Sequence, residues 1–435
     1  MTVPIGSDIY LILPLIILAV LIGVVSDRLR VSFTSSLLVF GIFLAVLNGY
    51  FHIFSVSSIF GQAFSSNIFF GLVLPPILYK GALDLNFKKF RDELIPITFL
   101  ATIGVIVSIV IVGFVLRVLI GLPLVPALLF GAIISPTDPV GVISFMKRVN
   151  VPSGLSTIIE GESLLNDGVA VVAFTTILAY LGGSVETLSG IITSLVQTIS
   201  VGLVIGVLLG LLYVYAIKYL KDSNGIIALS LVVAYSSFEI AQQLNSSGIL
   251  AVVVSAIIIG YSVKQRNKEA ADLLNGFWSV INYIMLAIVF ITMGLFIDPL
   301  FIIPYILLIV IAFVVVTGAR GAVVYIFHKI FLRSFKSSEW STTIALSGIR
   351  GAIPLVLALN LPLLIGNTTF QYREPILALT IGVILVSLLG QSYAAERYTR
   401  THLSYSVEEI RDVATAGTGD STKVKARDNE EFEKL

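Results

Sequence analysis

Two short segments of this chain bring carboxylates together with hydroxyl and amide oxygens. Ser135-Pro136-Thr137-Asp138-Pro139 sets an acid between two prolines. Glu160-Gly161-Glu162-Ser163-Leu164-Leu165-Asn166-Asp167 places Ser163 beside Asp167 and Glu162 beside Asn166 if the segment is helical, each pair four residues apart. Oxygens of this kind make a hard site that suits Na⁺, Li⁺ or H⁺, whereas zinc and copper favour His and Cys. The three histidines, His52, His328 and His402, fall in a loop, near the end of an apolar run and in the tail, and cysteine is absent. That removes disulfides, thiol nucleophiles and iron–sulfur centres from consideration. A third segment, Ser347-Gly348-Ile349-Arg350-Gly351-Ala352-Ile353-Pro354, puts an arginine between glycines with a proline one turn on.

These polar segments lie in a very apolar chain. Of 435 residues, 57% are hydrophobic and 12% charged, and the mean hydropathy is +1.01. A soluble domain carries about 25% charged residues. Half that cannot cover a globule of this size, which excludes a soluble enzyme, a fibrous protein and a disordered chain. An all-α polytopic membrane protein remains. Apolar runs of bilayer length fall at roughly 9–26, 33–49, 67–83, 95–117, 123–146, 155–180, 190–219, 225–244, 248–264, 276–297, 300–328, 340–361 and 374–394. The reading is therefore thirteen transmembrane helices in a membrane domain over 1–396, followed by a partly disordered cytoplasmic tail over 397–435. The runs do not alternate apolar with polar residues, as β-barrel strands would. Met1-Thr2-Val3-Pro4 lacks a basic n-region, so the first run reads as a span and not as a secretory signal peptide.

Basic residues orient the spans. Loops after odd-numbered spans and the tail hold 22 of the 27 Lys and Arg residues, while loops after even-numbered spans hold Arg117 and Arg373 alone. Positive charge stays cytoplasmic, so the N-terminus is expected outside and the C-terminus inside, in the plasma membrane. Lys80, Arg320 and Arg350 fall inside spans, as do Asp138, Glu160, Glu162, Asp167 and Glu239. A charge at the bilayer centre costs about 3 kcal/mol or more, so such residues pair, line a wet cavity or handle an ion. Lys80 and Glu239, near span ends, are read as snorkelling to the interface. Asp138, Asp167 and Arg350, near mid-span, are read as functional.

The prolines of span five and the Gly and Pro of span twelve interrupt helices at membrane depth. Proline lacks a backbone N–H and crowds the carbonyl one turn earlier. Broken backbone is tolerated at that depth only inside protein or along a water-filled cavity. Interrupted helices of opposite sense in the two halves point to an inverted-repeat transporter. The repeats would be about 1–180 and 225–396, with the span at about 190–219 as connector.

The three motifs, in this order and on these spans, resemble the signatures of the NhaP-type sodium/proton antiporters. These are prokaryotic members of the cation/proton antiporter superfamily and relatives of the eukaryotic sodium/hydrogen exchangers. The resemblance implies a homodimer in which a core domain with two crossed, unwound helices, spans five and twelve, moves against a dimerisation domain. It implies that Asp167 is the principal cation- and proton-binding carboxylate. Glu162, Ser163 and the Thr137 carbonyl would complete the Na⁺ shell. Asn166 would brace the site against Thr137 and Asp138, with Asp138 offsetting helix dipoles there. Arg350 would pair with Glu162, and Arg320 would play a structural part. Many relatives carry an acid where this chain has Lys80.

The function expected is secondary transport without a cofactor, with Na⁺, and Li⁺ as well, exchanged for H⁺ by alternating access. K⁺/H⁺ exchange is the alternative, and a cation channel a more distant one. A channel would favour rings of carbonyls or acids in an oligomeric pore. A primary pump would need a phosphate-cradling loop, and the chain has no such motif. An intramembrane aspartyl protease would need two carboxylates sharing a proton, which the Asn166-Asp167 pair does not suit. The chain is thus not expected to be an enzyme or to bind nucleic acid; its partners are the transported ions, the lipid bilayer and a second copy. Asn166 cannot titrate, so one proton per cation and electroneutral exchange are expected, with proton and cation competing for Asp167.

Overall fold

In the computed structural model the chain is described for residues 17–26, 28, 31–51, 69–138, 142, 146, 149, 151–183, 187–220, 222–297, 299–331, 337–365 and 368–403. Every apolar run carries helix within its described part. We label the helices α1 (Ile17–Ser26), α2 (Phe33–Phe51), α3 (Leu74–Asp84), α4 (Phe87–Asp92), α5 (Leu94–Ile120) and α6 (Leu124–Ile134). They continue with α7 (Ser153–Leu181), α8 (Leu188–Ala216), α9 (Ser223–Gln243), α10 (Gly248–Arg266) and α11 (Lys268–Leu295). The last are α12 (Ile306–Ile330), α13 (Ser338–Leu346), α14 (Ala352–Leu359) and α15 (Arg373–Leu403). Among the described residues, eight helices are long and apolar enough to cross a bilayer. The only strands described are the antiparallel pair Leu364–Ile365 and Thr368–Thr369.

Polar residues in the short loops start these helices. Thr187, Asp222, Ser247 and Asn267 each accept a hydrogen bond from a backbone N–H of the first turn of α8, α9, α10 and α11. Each cap satisfies one of the donors that a helix start leaves open. Gly121, at φ 70°, closes α5, and Pro123 then bars its continuation.

The helices pack in two sets. In one, α2 and α3 lie on α11, α3 also contacts α10, and α8 and α9 pack on α10. In the other, α5 contacts α6, α7 and α12, and α15 contacts α12 and α14. The α2–α11 crossing is close because of glycine: a Cβ at Gly41 would lie 2.2 Å from the Ile291 carbonyl oxygen, and one at Gly294 would lie 2.5 Å from that of Leu38. α7 reaches across to α8, α10 and α3, and α14 touches α11, so the seam between the sets runs past the polar residues of α7.

One boundary differs from expectation. The last helix does not stop near 396 but continues to Leu403, because its amphipathic end packs Ala395 and Thr399 inward and faces Arg400 outward. The remainder of the tail, 404–435, lies outside the described residues, as do Pro139 and Gly141 of the span-five motif and 9–16 of the first run.

Candidate ion site at two helix breaks

Helix α6 stops at Ile134, and Ser135–Asp138 are not helical. Pro136 cannot donate to the turn before it, and the Ser135 hydroxyl donates instead to the Gly131 carbonyl at 2.8 Å. The second break runs from Ser347 to Gly351, between α13 and α14. The two breaks are hydrogen-bonded to each other: the Asp138 N–H donates to the Ile349 carbonyl at 2.7 Å. A Cβ at Gly351 would lie 2.5 Å from the Asp138 Cβ, so only glycine admits this approach.

Arg350 and α15 satisfy the backbone groups that the breaks release. The Arg350 guanidinium donates to the carbonyls of Ser135 (2.8 Å) and Pro136 (3.3 Å), at the negative end of α6. The Ser387 hydroxyl accepts from the Arg350 N–H at 3.0 Å, and the Gln391 amide donates to the carbonyls of Leu346 and Gly348. Ser387 and Gln391 bracket a π-helical turn of α15. Both were missed in the sequence, although two polar residues inside an apolar span were the available signal.

Helix α7 supplies the carboxylates. Glu162, Ser163, Asn166 and Asp167 are all buried. The Ser163 and Thr137 hydroxyls are hydrogen-bonded at 2.8 Å. The Asn166 amide donates to the Thr137 hydroxyl at 2.8 Å and to the Glu162 carboxylate at 2.9 Å. Asn166 thus braces α7 against the first break.

Glu162 does not pair with Arg350. Its partner is Arg320 of α12, whose guanidinium reaches both carboxylate oxygens, at 3.0 and 2.8 Å. The fork geometry of arginine matches a carboxylate, and a Cβ at Gly348 would fall 2.2 Å from the Arg320 side chain, so that glycine leaves its path open. Arg350 is held by carbonyls instead.

Between the two helix sets lies a cavity of about 370 Å³. Its polar lining comes from Lys80, Asp84, Thr137, Asp138, Asp167 and Asn282, and the rest is mostly apolar. Thr137, Asp138 and Asp167 therefore meet at one space. Glu162 does not line it; it faces a smaller space with Arg320 and Arg350. Lys80 does not snorkel: it is buried, ion-paired with Asp84 one turn on, and hydrogen-bonded to Asn275 of α11. Glu239 is exposed, as expected. Asp167 Oδ1 is buried in the cavity wall and has no hydrogen-bond partner among the described residues.

Comparison with known proteins shows the family and the fold. Over 326 residues the chain is 36% identical to the Na⁺/H⁺ antiporter NhaG of Bacillus atrophaeus, a match covering 74% of this chain and 61% of that protein. It is 31% identical over 342 residues to the Na⁺/H⁺ antiporter ApNhaP of Aphanothece halophytica, covering 75% of this chain and 63% of that one. The chain thus spans less than two thirds of the length of these two relatives. The structure of the sodium proton antiporter MjNhaP1 from Methanocaldococcus jannaschii superposes with a TM-score of 0.77 at 20% identity, over 92% of this chain and 99% of that one. The fold is therefore that of MjNhaP1. The family model described as "Sodium/hydrogen exchanger, transmembrane" matches residues 15–400. A multi-pass helical chain with two joined helix breaks, matched by that model over nearly its whole length, belongs to the sodium/hydrogen exchanger family.

Proposed function

We propose that this protein is a secondary transporter that exchanges Na⁺ for H⁺ across the plasma membrane, Li⁺ serving as well, and that it is not an enzyme. Asp167 takes the proton and the cation in turn. The observation that carries this reading is the contrast between Asp167 Oδ1, which meets the cavity without a partner, and the Glu162 carboxylate, which Arg320 and Asn166 already occupy. A buried acceptor without a donor is retained where an ion or water completes it. Thr137, which lines the same cavity, and Ser163, hydrogen-bonded to the Thr137 hydroxyl, serve as further oxygen ligands, while Asn166, Glu162, Arg320 and Arg350 hold the scaffold and Asp138 balances the helix ends. Alternating access follows from movement of the helix set bearing the breaks against the other, with the second set joining two copies in a homodimer. The N-terminus lies outside and the C-terminus in the cytoplasm.

The test is purified protein in proteoliposomes carrying a pH gradient and a pH-sensitive dye. Addition of Na⁺ or Li⁺ should dissipate the gradient with saturating dependence, and K⁺ should not. Dissipation by K⁺ with no response to Na⁺ would overturn the choice of cation. Flux that neither saturates nor reverses with an inverted gradient would overturn exchange itself.

A further inference from the structure

The cavity that exposes Asp167 holds a second oxygen of the same kind. Asn282 Oδ1, on α11, is buried and lacks a hydrogen-bond partner among the described residues. The other α11 residues lining the cavity are Leu286, Val289 and Phe290, so Asn282 is the one polar side chain this helix presents to it. A buried carbonyl oxygen among apolar neighbours persists where something outside the protein completes it. Asp167 and Asn282 stand on opposite helix sets and line the same cavity.

Its position along the route supports this. Asp84 marks the open end of the cavity, its side chain 44% exposed, and Asp167 marks the closed end at 4%. Lys80 is tied to Asp84 and to Asn275 near that open end. Asn282 lies seven residues beyond Asn275 on the same helix, about 10 Å further along it at 1.5 Å per residue. It is therefore inward of the charged mouth, on the wall across from the breaks.

We infer that Asn282 is a specificity-determining residue whose amide oxygen ligates the transported cation from α11, the helix set that does not carry Asp167. This rests on the exchange reading above. A neutral amide oxygen suits a hard monovalent cation. It binds no proton, so its contribution separates from that of Asp167. Removing it should weaken cation binding by the same factor at every pH, whereas changing Asp167 alters both ions.

The experiment measures the apparent KM for Na⁺ and Li⁺ at two pH values in proteoliposomes, for the wild type and for Asn282→Ala, Asn282→Gln and Asn282→Asp. Asn282→Ala should raise the KM for Na⁺ about tenfold at both pH values, with the saturated rate little changed. It should also change the Na⁺ to Li⁺ ratio of KM values, and Asn282→Gln, which restores an amide oxygen, should recover part of the loss. Asn282→Asp keeps the shape and adds a charge, so it carries the test even where the alanine variant is not folded. It should lower the KM for Na⁺ and make it more pH-dependent. An unchanged KM in Asn282→Ala or Asn282→Asp would overturn the inference and leave water as the occupant. A fall in melting temperature and saturated rate at unchanged KM would assign Asn282 to packing instead. Absence of cation-driven proton movement in the wild type would refute the exchange reading itself, a result distinct from either.

Discussion

Arg320 and Glu162 form a two-pronged buried ion pair, 158 residues apart in sequence, that ties α12 to α7 behind the candidate ion site. Removing one partner of such a pair leaves a buried charge uncompensated, which costs about 3–5 kcal/mol. Arg320→Ala should therefore lower the melting temperature of the purified protein markedly, and Arg320→Met combined with Glu162→Gln should recover much of that loss. Arg350→Ala should show no such rescue by Glu162→Gln, because Arg350 binds carbonyls of the first break. Equal rescue of both arginine variants would mean that the two share Glu162.

Gly351 limits how closely the two breaks approach. A methyl group there would meet Asp138 at 2.5 Å, and overpacking of this kind costs about 1–3 kcal/mol. Gly351→Ala should keep the fold but push Asp138 away from the cavity and reduce the exchange rate strongly. Proteoliposome flux and a melting curve, taken together, check this; wild-type flux at lowered stability would show that Asp138 need not keep its place.

The breaks and the carboxylates of this site were legible in the sequence for one physical reason. Charge, proline and glycine at membrane depth are costly, so Asp138, Asp167 and Arg350 stand out against an apolar background. The partner of Glu162 was not legible. Arg320 and Arg350 are alike in type and burial, and the choice between them is made by the path that Gly348 opens and by the carbonyls at the end of α6. Lys80 was misread as snorkelling because Asn275, 195 residues away, is brought to it only by the packing of α3 on α11. Ser387 and Gln391 were overlooked because hydroxyls and amides in apolar spans commonly bond within their own helix.

The proposed function gives Asp167 the central role, as the carboxylate that takes proton and cation in turn. Asp167→Asn keeps the size and the polarity of the side chain but cannot exchange a proton. Exchange should fall to background while the melting temperature stays close to that of the wild type. Sodium-driven proton movement surviving in this variant would transfer the role to Asp138.

Charge stoichiometry follows from what each acid is already doing. Both oxygens of Glu162 are held by Arg320, and one also accepts from Asn166, so Glu162 is not expected to exchange a proton. Asp138 lies against Gly351 at the start of α14, where the positive end of the helix favours a carboxylate. Asn166 does not titrate. On the proposed reading Asp167 alone is left to give up a proton when a cation binds, so the exchange is expected to be one for one and electroneutral. If both ions use the same carboxylate, the apparent KM for Na⁺ should rise as pH falls, and a high Na⁺ concentration should restore the rate. Clamping the membrane potential of the proteoliposomes at different values should leave the end point of exchange unchanged. An end point that moves with voltage would mean that more than one proton leaves per cation, and Asp138, which shares the cavity with Asp167, would be the second acid.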